Sequence, residues 1–327
     1  MEYEVFVNII AEQIREYLTE EWKDAKISVI TNDKINCKKT GIVFERFNNR
    51  YSPTVYMEEY YEHFKNGWRL EEVLEPLGQL LVQLEHDKMQ YVEARELLGN
   101  TNNIFFDLIN TRENEEILKN MPHREIMDLS IVYRCLIICD EKGIATVSIE
   151  NAMAAFYELS EEQLYELAYK NTKKLFPIVI KPMEKVMNEI LGNEEVDVEN
   201  RFIVDEAANM HVISNNIRSF GASVMLYPEE IHKLAEALGD DLYLLPTSRQ
   251  EVVAIPKSNE DLHGLAELVY EMNMTNVPVE DRLSHQIYQY NRDTKEITMA
   301  TSQPYRSLVE SKEEPNIEKV EERSARR

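Results

Sequence analysis

Apolar positions recur with a helical period at the start of the chain. Tyr3, Phe6, Val7, Ile10, Ile14, Tyr17 and Leu18 fall three or four residues apart with Glu and Lys between them, so the spacing predicts an amphipathic helix over residues 2–24. Its polar face is rich in Glu rather than Lys and Arg, which favours packing on a domain over lying on a membrane. Shorter runs follow. Residues 27–35, 41–47 and 54–57 read as strands, with Asn32-Asp33 and Asn48-Asn49-Arg50 supplying turn chemistry. Helical spacing returns over 58–65 and 70–98. Gly67 separates the two, and Pro76 falls in the early turns of the second or marks a kink.

Residues 104–149 look strand-rich. Ile131, Val132, Tyr133 and residues 136–138 form the dense apolar run of a central strand, and residues 140–143 would close a hairpin onto 144–149. Helices are predicted over 150–158 and 160–174, the second opened by a Ser160 to Gln163 capping box. Residues 178–180, between Pro177 and Pro182, read as a strand or an extended linker, and a helix then runs to about 191. Further on, strands at 210–213, 222–227, 242–245 and 251–255 alternate with two helices. One covers 228–238, with Pro228 in its first turn and Gly239 at its end; the other covers 259–274, capped by Asn259.

These elements predict an α+β (mixed α/β) fold of two sheet-plus-helix domains with mostly antiparallel or mixed sheets. A chain of 327 residues is long for one core. The division expected is an N-terminal α+β domain over 1–191, an acidic linker over 192–200, a C-terminal α/β domain over 201–302 and a disordered tail over 303–327.

Charge narrows the function classes. Sixty Asp and Glu against 36 Lys and Arg give a formal charge of −24, which opposes non-specific binding to nucleic acid or anionic membrane. Neither partner is expected, although an acidic surface could itself mimic a nucleic acid. No apolar run reaches the roughly 18 residues of a membrane span, and Met1-Glu2-Tyr3-Glu4 lacks the character of a signal peptide. Three cysteines argue against a secreted disulfide framework. The location expected is cytoplasmic.

Candidate chemistry is sparse. On a strand, Cys135 and Cys139 would share a face but stand too far apart for a disulfide or a common metal ion, so they read as buried packing residues. Cys37, beside Lys38 and Lys39, reads as a spectator thiol. The seven histidines show no metal-binding spacing, and Glu85-His86-Asp87 reads as an exposed helix face. With no phosphate loop, dinucleotide fingerprint or nucleophile elbow, no cofactor, metal or catalytic residue is predicted. Tyr51, Tyr56, Tyr60, Tyr61, Phe64 and Trp68 are interleaved with Glu, which suits core packing or a protein interface rather than nucleic-acid stacking. The most unusual segment is Pro246-Thr247-Ser248-Arg249-Gln250-Glu251 between two apolar runs. Its Arg and hydroxyls could recognise an anionic group, or it could be a hairpin turn whose Arg and Glu pair together or with water.

Several segments, taken in order, resemble a known family. They are Ser52-Pro53-Thr54-Val55-Tyr56-Met57 with Tyr60-Tyr61-Glu62, Asn110-Thr111-Arg112-Glu113-Asn114 with Pro122-His123-Arg124-Glu125, and Met127-Asp128-Leu129-Ser130-Ile131-Val132-Tyr133. In the second half they are His211-Val212-Ile213-Ser214-Asn215, Gly221-Ala222-Ser223, Leu245-Pro246-Thr247-Ser248 with Glu251-Val252, and Leu283-Ser284 with Tyr288-Gln289-Tyr290. Together they resemble domain of unknown function 5688, a bacterial family of gut Firmicutes, over roughly residues 1–300. The resemblance implies no activity, cofactor or catalytic residue. The chain departs from the family pattern at Ser214, where Thr is usual, and at Gln250, where His is usual, which argues against His-dependent chemistry in that loop.

Two readings of function follow. One is a non-enzymatic protein-interaction or accessory protein with an unknown protein partner. The other is an enzyme or small-ligand binder whose discontinuous polar site in the C-terminal domain includes Ser248, Arg249 and Glu251. Convergence of residues 246–251, the turn at 219–223 and Asp205 on one pocket would favour the second.

Overall fold

The computed structural model describes residues 1–46, 52–86, 99–140, 143–197, 200–259 and 261–301. The Asn48-Asn49-Arg50 turn, the helix continuation over 87–98 and the tail from 303 lie outside the described residues. Within them the fold is α+β, with antiparallel sheets and helices. The chain forms two compact units, each assembled from several segments. The first comprises residues 1–103, 113–121 and 135–157, and the second 104–112, 122–134 and 158–327.

The first unit opens with helix α1, Tyr3–Gln13, which tightens into a 3-10 turn over Ile14–Tyr17. The helix is thus shorter than its apolar spacing predicts. Ile14, Leu18 and Trp22 still face the core, because the tighter turn and the extended residue after it keep the apolar face inward. Strands β1 (Lys26–Lys34), β2 (Cys37–Glu45) and β3 (Thr54–Tyr56) make an antiparallel sheet in that order. Helices α2 (Glu58–Lys65) and α3 (Leu70–His86) follow, with Pro76 inside α3. Phe6, Val7 and Ile10 of α1 join Ile42 and Phe44 of β2 and Val73, Leu74 and Leu77 of α3 in one core. Of the aromatic stretch, Tyr60, Tyr61 and Phe64 pack against this core, whereas Trp68 is exposed and stacks on His63.

Strands β4 (Ile104–Asn110), β5 (His123–Ile126), β6 (Leu129–Asp140) and β7 (Gly143–Ser148) form a four-stranded sheet in which β6 is central. Residues 129–134 of β6 belong to the second unit and 135–140 to the first. None of the three cysteines is in a disulfide; Cys135 is buried as predicted, but Cys139, near the end of β6, is exposed. Short helices α4 (Glu115–Leu118) and α5 (Asn151–Tyr157) complete the described elements of the first unit.

In the second unit, helix α6 (Glu161–Leu175) begins with the predicted capping box, Ser160 and Gln163 each satisfying the other's backbone amide. Strands β8 (Ile178–Pro182), β9 (His211–Asn215), β10 (Leu242–Leu245), β11 (Val252–Pro256), β12 (Tyr288–Asn291) and β13 (Glu296–Met299) build a six-stranded antiparallel sheet in the order β13-β12-β10-β11-β9-β8. Helix α7 (Met183–Ile190) and the acidic stretch 192–200 lie between β8 and β9 of this one sheet. Helix α8 (Pro228–Leu238) has Pro at its start and stops at Gly239, whose φ of 72° suits a residue without Cβ. Helix α9 (Leu262–Thr275) covers one sheet face, packing Leu265, Ala266 and Val269 on Tyr243, Leu245, Val253 and Ile255.

Two expectations are corrected. Residues 222–227 are not a strand: Gly221–Leu226 form a 3-10 helix, entered through Phe220 at φ 59° and buried throughout. Full burial removes the polar positions from which a period could be read. Helix α9 is capped by Asp261 rather than Asn259, with the Asp261 carboxylate accepting from the N–H groups of His263 and Gly264.

Candidate functional site

The Pro246–Glu251 connector joins β10 to β11 in the second unit, and its backbone is held by a third segment. Thr247 and Pro246 carbonyls accept from the N–H groups of Leu283 and Ser284. The turn before β9's neighbouring 3-10 helix closes on it too. Ala222 N–H donates to the Arg249 carbonyl, Phe220 N–H to the Gln250 side-chain oxygen, and the Ser214 hydroxyl to the Gln250 carbonyl. A Cβ on Gly221 would lie 2.2 Å from that same carbonyl oxygen, so the approach requires glycine. The connector and the 219–223 turn therefore converge. Asp205 does not join them; its backbone N–H donates to His211 Nε2 at 3.2 Å.

The three predicted side chains enter three different environments. Arg249 Nη2 donates to Asp107 Oδ2, and its Nη1 donates to the Glu280 carbonyl at 3.2 Å. Arg134 Nη1 is 4.0 Å from the same carboxylate oxygen, and both guanidinium groups lie over the Phe220 ring. Burial pushes the Arg134 guanidinium below its ordinary pKa; Asp107 opposes this shift and Arg249 adds to it. Arg249 is thus engaged with Asp107 rather than with Glu251. Two atoms of the pair, Asp107 Oδ1 and Arg249 Nε, are buried with no hydrogen-bond partner among the described residues. The Ser248 hydroxyl accepts from the Gln250 N–H at 2.9 Å, closing its own turn. Glu251 lines a cavity of about 20 Å³ together with Lys181, Ser214, Asn215 and Arg218. Burial raises its carboxyl pKa, with the Arg218 charge opposing. Beside that cavity Lys181 Nζ and Arg218 Nη2 both reach the fully buried Glu189 carboxylate, at 2.6 and 2.8 Å.

Asp107 is the polar residue that sequence reasoning missed. Its signal was present: a single carboxylate inside the apolar run Ile104-Phe105-Phe106-Asp107-Leu108-Ile109, every member of which is buried. A second carboxylate, Asp128, accepts from the Ser284 hydroxyl at 2.6 Å and from the Tyr288 hydroxyl. Burial and this carboxylate push Tyr288 well above the usual tyrosine range, so its hydroxyl stays protonated and acts as a donor. These groups bond one another in closed sets, a pattern that fixes segments in place.

A larger feature of the second unit is a cavity of about 470 Å³. Leu108 of β4, Ile126 and Leu129 at the β5–β6 turn, and Met225 and Leu226 form much of its apolar lining, while Tyr165 of α6 and Lys295 contribute polar atoms. Leu108, Leu129, Met225 and Leu226 are buried; Ile126 and Tyr165 are half-buried. Residues 295–298, reaching along β13, form another part of the lining. Size and lining match a site for an apolar ligand group with a few polar contacts. No spacing rule could have found it, since its residues come from five separated segments.

Among the described residues, no group of three His, Cys, Asp or Glu is placed to hold a metal ion, and no helix is long and apolar enough to cross a membrane. No curated protein and no solved structure matches the chain. One family model does match, over residues 3–292, nearly the whole described length, and it spans the segments that carry the resemblance noted in the sequence. The chain belongs to that family, a family of unknown function designated DUF5688.

Proposed function

We propose that this protein acts by binding, as an interaction or accessory protein, and that the 470 Å³ cavity of the second unit receives an apolar group of its partner. The cavity is the observation that carries this reading. It is roomy and predominantly apolar, whereas Arg249, Ser284 and Lys181 of the same unit each bond a carboxylate within it. Met127 and Met225 in the lining can re-pack around differently shaped groups.

The test is titration of the full chain with the uncharged apolar dye N-phenyl-1-naphthylamine, compared with Met225→Trp and Ile297→Trp, which both place an indole in the lining. Saturable binding by the wild type, weakened in both variants, supports the reading. Equal binding by all three proteins, each folded by circular dichroism, overturns it.

The reading of Ser248, Arg249 and Glu251 as a polar ligand site has one observation in its favour, the unpartnered Asp107 Oδ1 and Arg249 Nε. A small molecule offering a donor and an acceptor would satisfy both. Stabilisation of the wild type by such a molecule in a thermal-shift screen, lost in Arg249→Lys, is the expected result. Unchanged stabilisation in the variant would remove Arg249 from the site.

A further inference from the structure

We infer that the cavity is the anchor pocket of a strand-docking groove, and that its occupant is an extended cationic segment of another protein that pairs with β13 and places one apolar side chain in the cavity. This deepens the binding reading above and rests on it.

The first observation is topological. Strand β13 ends the six-stranded sheet: β12 occupies one edge, and among the described residues no strand pairs with the other. The opposite end of the sheet is protected, because the N–H and C=O of Ile180 in β8 are taken by the Arg201 carbonyl and the Ile203 N–H. An open edge presents alternating unpaired donors and acceptors, which an extended peptide satisfies by adding a strand.

The second observation is how the cavity meets that strand. Three consecutive strand residues, Glu296, Ile297 and Thr298, line it, together with Lys295 of the preceding turn. Successive side chains of a strand point to opposite faces, so a cavity below one face would be lined by alternate residues only. Contact with three in a row points to a cavity that meets the strand at its edge. A peptide paired there would lie about 4.8 Å from β13, with alternate side chains turned toward Leu108, Ile126 and Met225.

The third observation is charge. Glu166 and Glu296 are exposed, and each is a lining residue or the immediate neighbour of one. Glu229 and Glu230, beside the lining residue Pro228, already pair with Lys173 and Lys233. Arg124 is engaged by both Glu161 and Glu162. Lys295 is the lining residue that opposes these carboxylates, so the surround is net acidic, as is the chain at −24. Such a surround attracts a cationic segment and disfavours an anionic one.

The experiment is fluorescence polarisation with the full chain and labelled heptapeptides of the pattern Lys-Val-Thr-X-Thr-Val-Lys, with X as Leu, Ile, Phe or Met. Binding by at least one is expected. Replacing X by Ala, replacing the terminal Lys by Glu, and N-methylating alternate backbone nitrogens should each weaken it by roughly tenfold or more. No binding by any of the four up to about 1 mM overturns the inference, as does affinity indifferent to backbone methylation. A stable dimer that peptide does not dissociate would assign the edge to a second copy and overturn it as well. The uncharged naphthylamine dye separates the two readings: if the dye binds in the cavity and no peptide does, the cavity reading stands and the strand-docking inference falls.

Discussion

Asp107 interrupts a run of buried apolar residues, and the charge is tolerated there because Arg249 meets it. Removing one member of a buried ion pair leaves the other uncompensated, which commonly costs about 3–5 kcal/mol. Asp107→Ala is therefore expected to destabilise the protein on that scale in urea unfolding, and adding Arg249→Met to it should recover a good part of the loss. The partner was not legible in the sequence: Arg249 stood out by its loop chemistry, but Asp107 lies 142 positions away, and nothing local joins them. Glu251 gives a prediction of opposite character. Its carboxyl pKa is raised in the fold by burial, against an ordinary value of 4.5. The folded state thus holds this proton more tightly than the unfolded state. The associated stability is fully present below the unfolded pKa and is lost as pH rises through the folded one. The charged groups facing Glu251 are Arg218 and Lys181, both also bound to Glu189, so they keep a counter-charge when Glu251 is neutral. Glu251→Gln should accordingly raise the melting temperature at pH 7, and the gain should shrink as pH falls toward 4. A gain that persists unchanged at acid pH would show that burial of this carboxyl is not the cause.

At the scale of elements, turn and cap chemistry was the legible part. The capping box at Ser160, Pro228 at a helix start and Gly239 at its end each appeared where local sequence placed them. Each motif is local because its hydrogen bonds are made within a few residues. Ser160→Ala should cost about 1 kcal/mol, the ordinary value of an N-cap, read as a lower midpoint in thermal unfolding. The 3-10 helix Gly221–Leu226 was misread as a strand because its determinant is not local. Its entry depends on the approach of Gly221 to the Gln250 carbonyl, a contact made only when the β10–β11 connector folds over it. Backbone oxygen cannot yield as a flexible side chain can. Gly221→Ala is expected to destabilise by about 1–3 kcal/mol, the usual penalty of forcing extra atoms into a packed site. An alanine variant as stable as the wild type would mean that the connector is free to move away.

For the molecule as a whole, the fold class was legible from the alternation of periods along the chain, and the grouping of elements was not. Hydrophobic period reports which face of an element is buried, not which distant element buries it. The acidic stretch 192–200 has the composition of a linker, yet β8 before it pairs with β9 after it along five residues, from Ile178 with Asn215 to Pro182 with His211. The second unit also draws β4 and β5 from well before that stretch. Leu108 on β4 lines the cavity, and Asp107 beside it holds Arg249. A fragment of residues 1–191 would carry β8 without its partner strand, and a fragment of 201–327 would expose the β9 edge and leave Arg249 buried without its carboxylate. Neither fragment alone should fold, and amide NMR spectra of each should collapse toward random-coil dispersion, whereas the two co-expressed should associate and recover native dispersion. A well-dispersed spectrum from either fragment alone would establish 192–200 as a linker between independently folding domains, and the buried pairing of Asp107 with Arg249 would then be dispensable for the fold of the C-terminal half.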